Sequence, residues 1–152
     1  RRLKRKKTKM ISNTYYPKSK DITETWHFIN VDGKVLGRVA TEIAKLLMGK
    51  DEATYTPGVM SGNKVVVTNS AKIAVTGNKM ADKTYFRHTR YPGGIKQATL
   101  EEVMAKDPTK PLRMAVKGML PKNKLQKRYM ANLHIYAGEE HPHTAQENKG
   151  TK

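Results

Sequence analysis

Residues 26–49 read WHFINVDGKVLGRVATEIAKLLMG. The first six, Trp26-His27-Phe28-Ile29-Asn30-Val31, partly alternate apolar and polar side chains, which is the period of a strand. Asp32-Gly33 is a turn signal. Beyond it Leu36, Val39, Ala40, Ile43, Ala44 and Leu47 recur at i, i+3, i+4, i+7, i+8 and i+11, one apolar stripe along a helix. Arg38, Glu42 and Lys45 lie off the stripe, so the helix buries one face and turns Arg38 to solvent or a ligand. Gly49 is placed to end the helix in a left-handed cap.

Outward from this unit, residues 50–63 carry Tyr55-Thr56-Pro57-Gly58 and read as loop. Residues 64–69, Lys-Val-Val-Val-Thr-Asn, form a short apolar run of the kind found in strands covered on both faces. Residues 72–76 are a further strand candidate, ended by Gly77-Asn78. Residues 79–96 read as mostly loop, with room for a strand near Thr84–His88. Thr99-Leu100-Glu101-Glu102 fits a capping box and predicts a helix start. Asp107-Pro108 can cap and open the next helix, on which Leu112, Ala115, Val116 and Met119 repeat at helical spacing. Pro121 interrupts, residues 123–130 look helical again, and residues 133–136 make a final strand closed by Gly138. Strand, helix, strands, helices, strand is an α/β order that favours parallel pairing. The expected organisation is a basic N-terminal extension over residues 1–20, one α/β domain over 21–138 and an extended polar tail over 139–152.

Composition narrows the function. Among 152 residues, 30 Lys and Arg oppose 13 Asp and Glu, for a net charge of +17. Such an excess strains a compact fold by self-repulsion unless something anionic neutralises it. There is no run of ~18 apolar residues, so a membrane-spanning helix is not expected. The absence of Cys removes thiolate chemistry, disulfides and Cys-based zinc sites, and suits a reducing compartment.

The charge is concentrated in three segments. Seven of the first nine residues are basic: Arg1, Arg2, Lys4, Arg5, Lys6, Lys7 and Lys9. This block cannot bury apolar area and suits a polyphosphate groove, where each neutralised phosphate releases counterions. Nuclear targeting and plain solubility are competing readings of the same block. The chain opens on Arg1, so translation is expected to start upstream or at Met10. An acid-free stretch over residues 108–138 carries Lys110, Arg113, Lys117, Lys122, Lys124, Lys127 and Arg128. A third cluster is Lys79, Lys83, Arg87, Arg90 and Lys96, diluted only by Asp82. Solvated surfaces ordinarily mix signs. Three segments of one sign favour a nucleic-acid partner.

Catalytic patterns are missing. No phosphate loop, dinucleotide fingerprint or nucleophile elbow occurs. Glu42 and Glu102 each have a helix-surface role, which makes an acid–base pair a poor reading. His27 and His134 fall in predicted strands and read as hydrogen-bonded structural histidines. His141-Pro142-His143 supplies too few ligands for zinc. Its imidazoles are better read as meeting phosphate or base. Tyr85, Phe86, Arg87, His88, Arg90 and Tyr91 interleave cations with flat rings that can stack on exposed bases, although one of Tyr85 and Phe86 is expected to pack inward. Gly93-Gly94 lets a backbone approach something bulky or makes a turn.

Several motifs, in order, resemble the large-subunit ribosomal protein family thirteen in its bacterial form. They are Asp32-Gly33-Lys34-Val35-Leu36-Gly37-Arg38, Tyr55-Thr56-Pro57, Val75-Thr76-Gly77-Asn78-Lys79 and Pro92-Gly93-Gly94-Ile95-Lys96. Ala115-Val116-Lys117-Gly118-Met119-Leu120-Pro121-Lys122, Ile135-Tyr136-Ala137-Gly138 and Glu139-Glu140-His141-Pro142-His143-Thr144-Ala145-Gln146 follow. The resemblance covers roughly residues 15–146. It implies a three-layer α/β/α domain with a mainly parallel four-stranded sheet. It also implies binding to large-subunit ribosomal RNA early in assembly, contact with neighbouring ribosomal proteins, and no catalysis, cofactor, metal, small-molecule substrate or membrane. A bacterial cytoplasmic ribosome is the implied location, with a mitochondrial or plastid ribosome as the alternative. Residues around Lys117, Met119 and Lys122, the loop near His88 and Gly93, and His141 to His143 would lie against RNA.

The full set expected to face RNA is the N-terminal block Arg1, Arg2, Lys4, Arg5, Lys6, Lys7 and Lys9, together with Lys34, Arg38, Lys79, Lys83, Arg87, His88, Arg90, Gly93, Gly94, Lys96, Lys117, Lys122, Lys124, Lys127, Arg128, His141 and His143. Three positions depart from the family pattern. Gly58 stands where His is usual, and Arg90 and Gln126 stand where Gly is usual. The last two predict altered local backbone, because Arg and Gln tolerate positive φ poorly.

Overall fold

A computed structural model describes residues 16–18, 20 and 22–147. The basic block of residues 1–9 lies outside the described residues. The elements follow in the order β1 (Trp26–Asn30), α1 (Leu36–Met48), β2 (Lys64–Thr68), α2 (Lys79–Asp82), β3 (Thr84–His88), β4 (Ile95–Thr99), α3 (Leu100–Lys106), α4 (Lys110–Met119), α5 (Gln126–Ala131), β5 (Leu133–Ile135) and α6 (Thr144–Glu147).

The fold is mixed α/β with two sheets. β1, β2 and β5 form a parallel sheet in the order β1-β2-β5, while β3 and β4 form a separate antiparallel hairpin. The expectation of a four-stranded parallel sheet is therefore corrected to three. The expected strand over residues 72–76 gives way to a 3₁₀ turn, Ser70–Lys72, entered through Asn69 at φ 62°. Ala74 forms an isolated parallel bridge to Val35, accepting from the Leu36 amide and donating to the Lys34 carbonyl, and the Lys72 carbonyl accepts from the Gly33 amide. The segment read as mostly loop contains one helical turn, the strand allowed at Thr84–His88 and the start of a second strand, Ile95–Thr99, that was not expected.

β2 is the centre. Val65, Val66 and Val67 are fully buried, as its apolar run predicts. Period-two alternation sends Val65 and Val67 to one face and Val66 to the other. On the first face they join Ile43 and Leu47 of α1, Leu112 and Val116 of α4, and Leu133 of β5 in one core. α1 forms as its stripe dictates, with Val39, Ala40, Ile43, Ala44 and Leu47 buried and Arg38 exposed. α3 begins with both bonds of the predicted capping box: the Glu102 amide donates to Thr99 Oγ1 and the Thr99 amide to Glu102 Oε2. α4 starts later than Asp107-Pro108 suggested, with Pro111 in its first turn. Met119, expected on the apolar stripe of α4, is exposed, and Leu120 is buried instead.

The second face of the sheet is covered by the C-terminal segment, which is not extended throughout. It turns back and forms α6, which contacts β1. His141 and His143 lie against Trp26, Phe28, His134 and Tyr136. Ring centroids are 5.1 Å apart for Trp26–His143, 5.6 Å for Phe28–His141 and 4.8 Å for His134–His143. Tyr136 Oη lies 3.0 Å from His143 Nε2. His27, expected to be hydrogen-bonded, has a buried Nε2 with no partner among the described residues.

Two outcomes test this packing. Gly49 ends α1 at φ 71°, and a Cβ there would collide with Cβ of Ser61. Gly49→Ala should destabilise the protein by more than about 1 kcal/mol in chemical denaturation, since both the backbone and the space are wrong for it. Burial holds the His134 imidazole below its ordinary 6.5, and nearby His143, Lys64 and Arg113 act in the same direction. The unfolded chain therefore binds that proton at higher pH than the folded one, so this contribution is complete above 6.5 and is lost as the pH falls below it. Thermal midpoints followed from about pH 8 to about pH 5 should decline, and less steeply in His134→Gln.

Candidate nucleic-acid interface

The few carboxylates are largely engaged in holding the fold. Glu24 pairs with Lys64 at 2.6 Å, Asp32 with Lys72 at 3.6 Å and Glu147 with His141 at 3.6 Å. Glu52 Oε1 accepts from Asn63 Nδ2 at 2.9 Å, and Asp82 accepts from Asn78 Nδ2 at 3.3 Å. Glu102 serves the capping box. Asp107 accepts from the Thr109 hydroxyl at 2.7 Å and its amide at 2.9 Å, and these bonds hold its carboxyl below the usual carboxylate range. Among the described residues, none of the lysines and arginines expected to face RNA forms an ion pair with an acid.

Those cations are exposed and fall into two organised groups. The first lies on α4 and α5. Leu112 and Val116 point into the core, which leaves Lys110, Arg113 and Lys117 on the outer face at i, i+3 and i+7. Together with Lys127 of α5 they line a shallow cleft floored by Met114 and Met130, and its lining includes no carboxylate. Gln126 braces the cleft, donating from Nε2 to the carbonyls of Lys117 at 2.9 Å and Leu120 at 3.4 Å. Lys122, Lys124 and Arg128 are exposed on the connecting turn and on α5. Arg38 stands one turn before Thr41, whose hydroxyl contacts Met119 Sδ at 3.6 Å, so the exposed side of α1 adjoins the end of α4.

The second group is the β3–β4 hairpin. It pairs Arg87 with Lys96 and His88 with Ile95. The tip is closed by the Thr89 amide donating to the Gly94 carbonyl at 2.8 Å and the Gly94 amide to the Tyr91 carbonyl at 3.0 Å. A Cβ on Gly94 would strike Thr89 Oγ1, so the paired glycines serve a tight turn. Tyr85 is half-buried and its phenol is pushed up by burial, while Phe86 is exposed. One ring of the pair packs inward, as expected. Lys79 and Lys83 precede the hairpin and Lys34 precedes α1, all three exposed.

The two groups do not merge into a single cleft. His141 and His143 stand apart from both, half-buried in the ring cluster on the sheet. Among the described residues no cluster of His, Asp or Glu could hold a metal ion. Lys110 and Arg113 were not in the expected set. Their helical spacing with Lys117, opposite Leu112 and Val116, was the signal that could have found them.

The sequence pattern of ribosomal protein L13 matches residues 24–142. The chain belongs to the ribosomal protein L13 family. It is 52% identical over 136 residues to large ribosomal subunit protein uL13 of Citrifermentans bemidjiense, covering 90% of this chain and 96% of that protein. It is 50% identical over 139 residues to its counterpart in Geobacter sulfurreducens, with 91% and 97% covered. The Legionella pneumophila protein is 49% identical over 136 residues, with 90% and 94% covered. L13 is a structural, non-enzymatic family.

The two L13 departures expected to alter the backbone resolve differently. Arg90 adopts φ 72° itself, and its amide donates to His88 Nδ1 at 2.9 Å. Gln126 opens α5 without positive φ, and its side chain caps α4. Gly58 is exposed. A left-handed non-glycine residue costs about 1 kcal/mol or more. Arg90→Gly should therefore leave the thermal midpoint unchanged or raise it, the gain being partly offset by the greater freedom of glycine in the unfolded chain.

Proposed function

We propose that this chain is a structural constituent of the large ribosomal subunit that binds and stabilises folded large-subunit rRNA early in assembly. The observation that carries the reading is the carboxylate-free cleft of α4 and α5, where Lys110, Arg113, Lys117 and Lys127 surround Met114 and Met130 and form no ion pair with an acid among the described residues. A fixed array of unpaired cations suits the phosphates of a folded polyanion, with affinity drawn mainly from counterion release. Specificity comes from RNA shape rather than from base sequence. Early entry follows from affinity that depends on RNA rather than on proteins added later.

The uL13 proteins of bacteria at about half identity carry names that put them in the large subunit. We extend that location to this chain, in a bacterial cytoplasmic ribosome. Its partners there are large-subunit rRNA and neighbouring ribosomal proteins. The basic extension of residues 1–20 adds phosphate contacts beyond the α/β domain of residues 21–138.

The protein should co-sediment with large subunits in moderate salt. Replacing Lys117, Lys122, Lys124 and Lys127 together by Gln should weaken binding to purified rRNA. The slope of log affinity against log salt should fall by about three, near the value for four lost phosphate contacts. A well-folded quadruple variant with wild-type affinity and slope would defeat the reading.

A further inference from the structure

The β3–β4 hairpin has an outer face that phosphate contacts alone do not explain. Phe86, Tyr91 and Ile95 are 67%, 75% and 64% exposed, far more than a core side chain and more than the methionines of the α4–α5 cleft. The register pairs Phe86 with Gln97 and His88 with Ile95. Alternation then puts Phe86, His88, Ile95 and Gln97 on one face, with Ile95 diagonal to Phe86. Tyr85, Arg87, Lys96 and Ala98 occupy the opposite face; Tyr85 and Ala98 are half-buried, with Lys83 Nζ 5.5 Å from the Tyr85 ring, while Arg87 and Lys96 are exposed nearer the tip. The hairpin therefore uses one face to join the body and leaves the aromatic face open.

Its surroundings indicate what covers it. From Lys83 to Leu100 the chain has no Asp or Glu, while Lys83, Arg87, Arg90 and Lys96 are all exposed. Arg90 is held at the tip in a left-handed conformation, and His88 Nδ1 is occupied by the Arg90 amide. An apolar, ring-bearing face with cations of a single sign at its tip and on the reverse of the same hairpin fits a partner that is anionic and also presents flat apolar faces. Unpaired nucleotides combine both properties in one repeating unit.

We propose that the outer face of this hairpin is a base-stacking platform. An unpaired base of large-subunit rRNA lies on Phe86, flanked by Ile95, with Tyr91 offering a second ring at the tip. The adjoining phosphate lies against Arg90 at the tip, and the RNA strand that follows passes around the end of the hairpin towards Arg87 and Lys96 on its reverse face. This site rests on the rRNA reading above and adds to it the class of RNA element recognised, a splayed single-stranded nucleotide rather than a duplex surface.

The test measures binding of the full chain to purified bacterial large-subunit rRNA across a salt series. Phe86→Ala should lower affinity roughly tenfold, the usual effect of losing one stacked base, and leave the salt slope at the wild-type value. Phe86→Trp should restore affinity, and its added indole emission should be quenched by rRNA, beyond any change seen for Trp26 in the wild type. Because Phe86 is exposed, circular dichroism and the thermal midpoint should not move in either variant. Wild-type affinity of Phe86→Ala would overturn the platform even if the lysine variant above has lost binding. If that Phe86→Ala protein also entered large subunits poorly, the face would belong to a neighbouring protein instead. Failure of the wild-type chain to bind rRNA would overturn both readings together.

Discussion

Val65, Val66 and Val67 are shielded from water on both sides of the middle strand, and the other elements are arranged to keep them so. A strand buried on both faces needs a partner at each edge and a cover on each side. β1 and β5 supply the edges in parallel register. α1 and α4 supply one cover through a contiguous core. The other cover is made of rings rather than a helix bundle, with His141 and His143 laid against Trp26, Phe28 and Tyr136. Because α4 must present Leu112 and Val116 inward to serve this core, its outer face is free to carry Lys110, Arg113 and Lys117. The cationic array is thus a by-product of the burial requirement of β2.

The division of labour between charges follows the same logic. Acids are scarce, and those with visible partners hold a strand entry, a turn or a helix start: Glu24 on Lys64, Glu102 on the Thr99 amide, Asp107 on Thr109. Isolated surface ion pairs contribute little, commonly under ~1 kcal/mol. Satisfying local amides with those carboxylates is the better use of them, and it leaves the remaining lysines and arginines uncompensated. Mutual repulsion among those cations opposes the compact state until an anion arrives.

Much of this was legible in the residues themselves. The 3.6-residue stripe of α1, the Thr99–Glu102 box and the valine run of β2 each depend on local spacing, and the fold realises them. What escaped had no local period. β4 follows Pro92-Gly93-Gly94, which reads as a break, and its exposed Ile95 and Lys96 give no buried face to detect. The segment around Ala74 has strand-like composition but only the single bridge to Val35, since Asn69 turns the chain into a 3₁₀ turn first. The C-terminal segment looked extended because histidine counts as polar, whereas here its rings serve as packing surface. In the candidate site, the cations of residues 108–138 stand in an acid-free run and those of residues 79–96 in one broken only by Asp82. The joining of Lys117 and Lys127 in one cleft depends on how α4 and α5 meet, which no spacing encodes.

The position of β5 has a consequence for synthesis. Among the described residues, the second edge of β2 is paired by residues 132–136, and the rings laid over the face bearing Val66, those of His141 and His143, follow later still. A nascent chain stopped before this point carries β2 with one edge unpaired and one side wet. Completion of the sheet is thus coupled to the final stretch of translation, and a truncated product would expose the aggregation-prone valine strand instead of burying it.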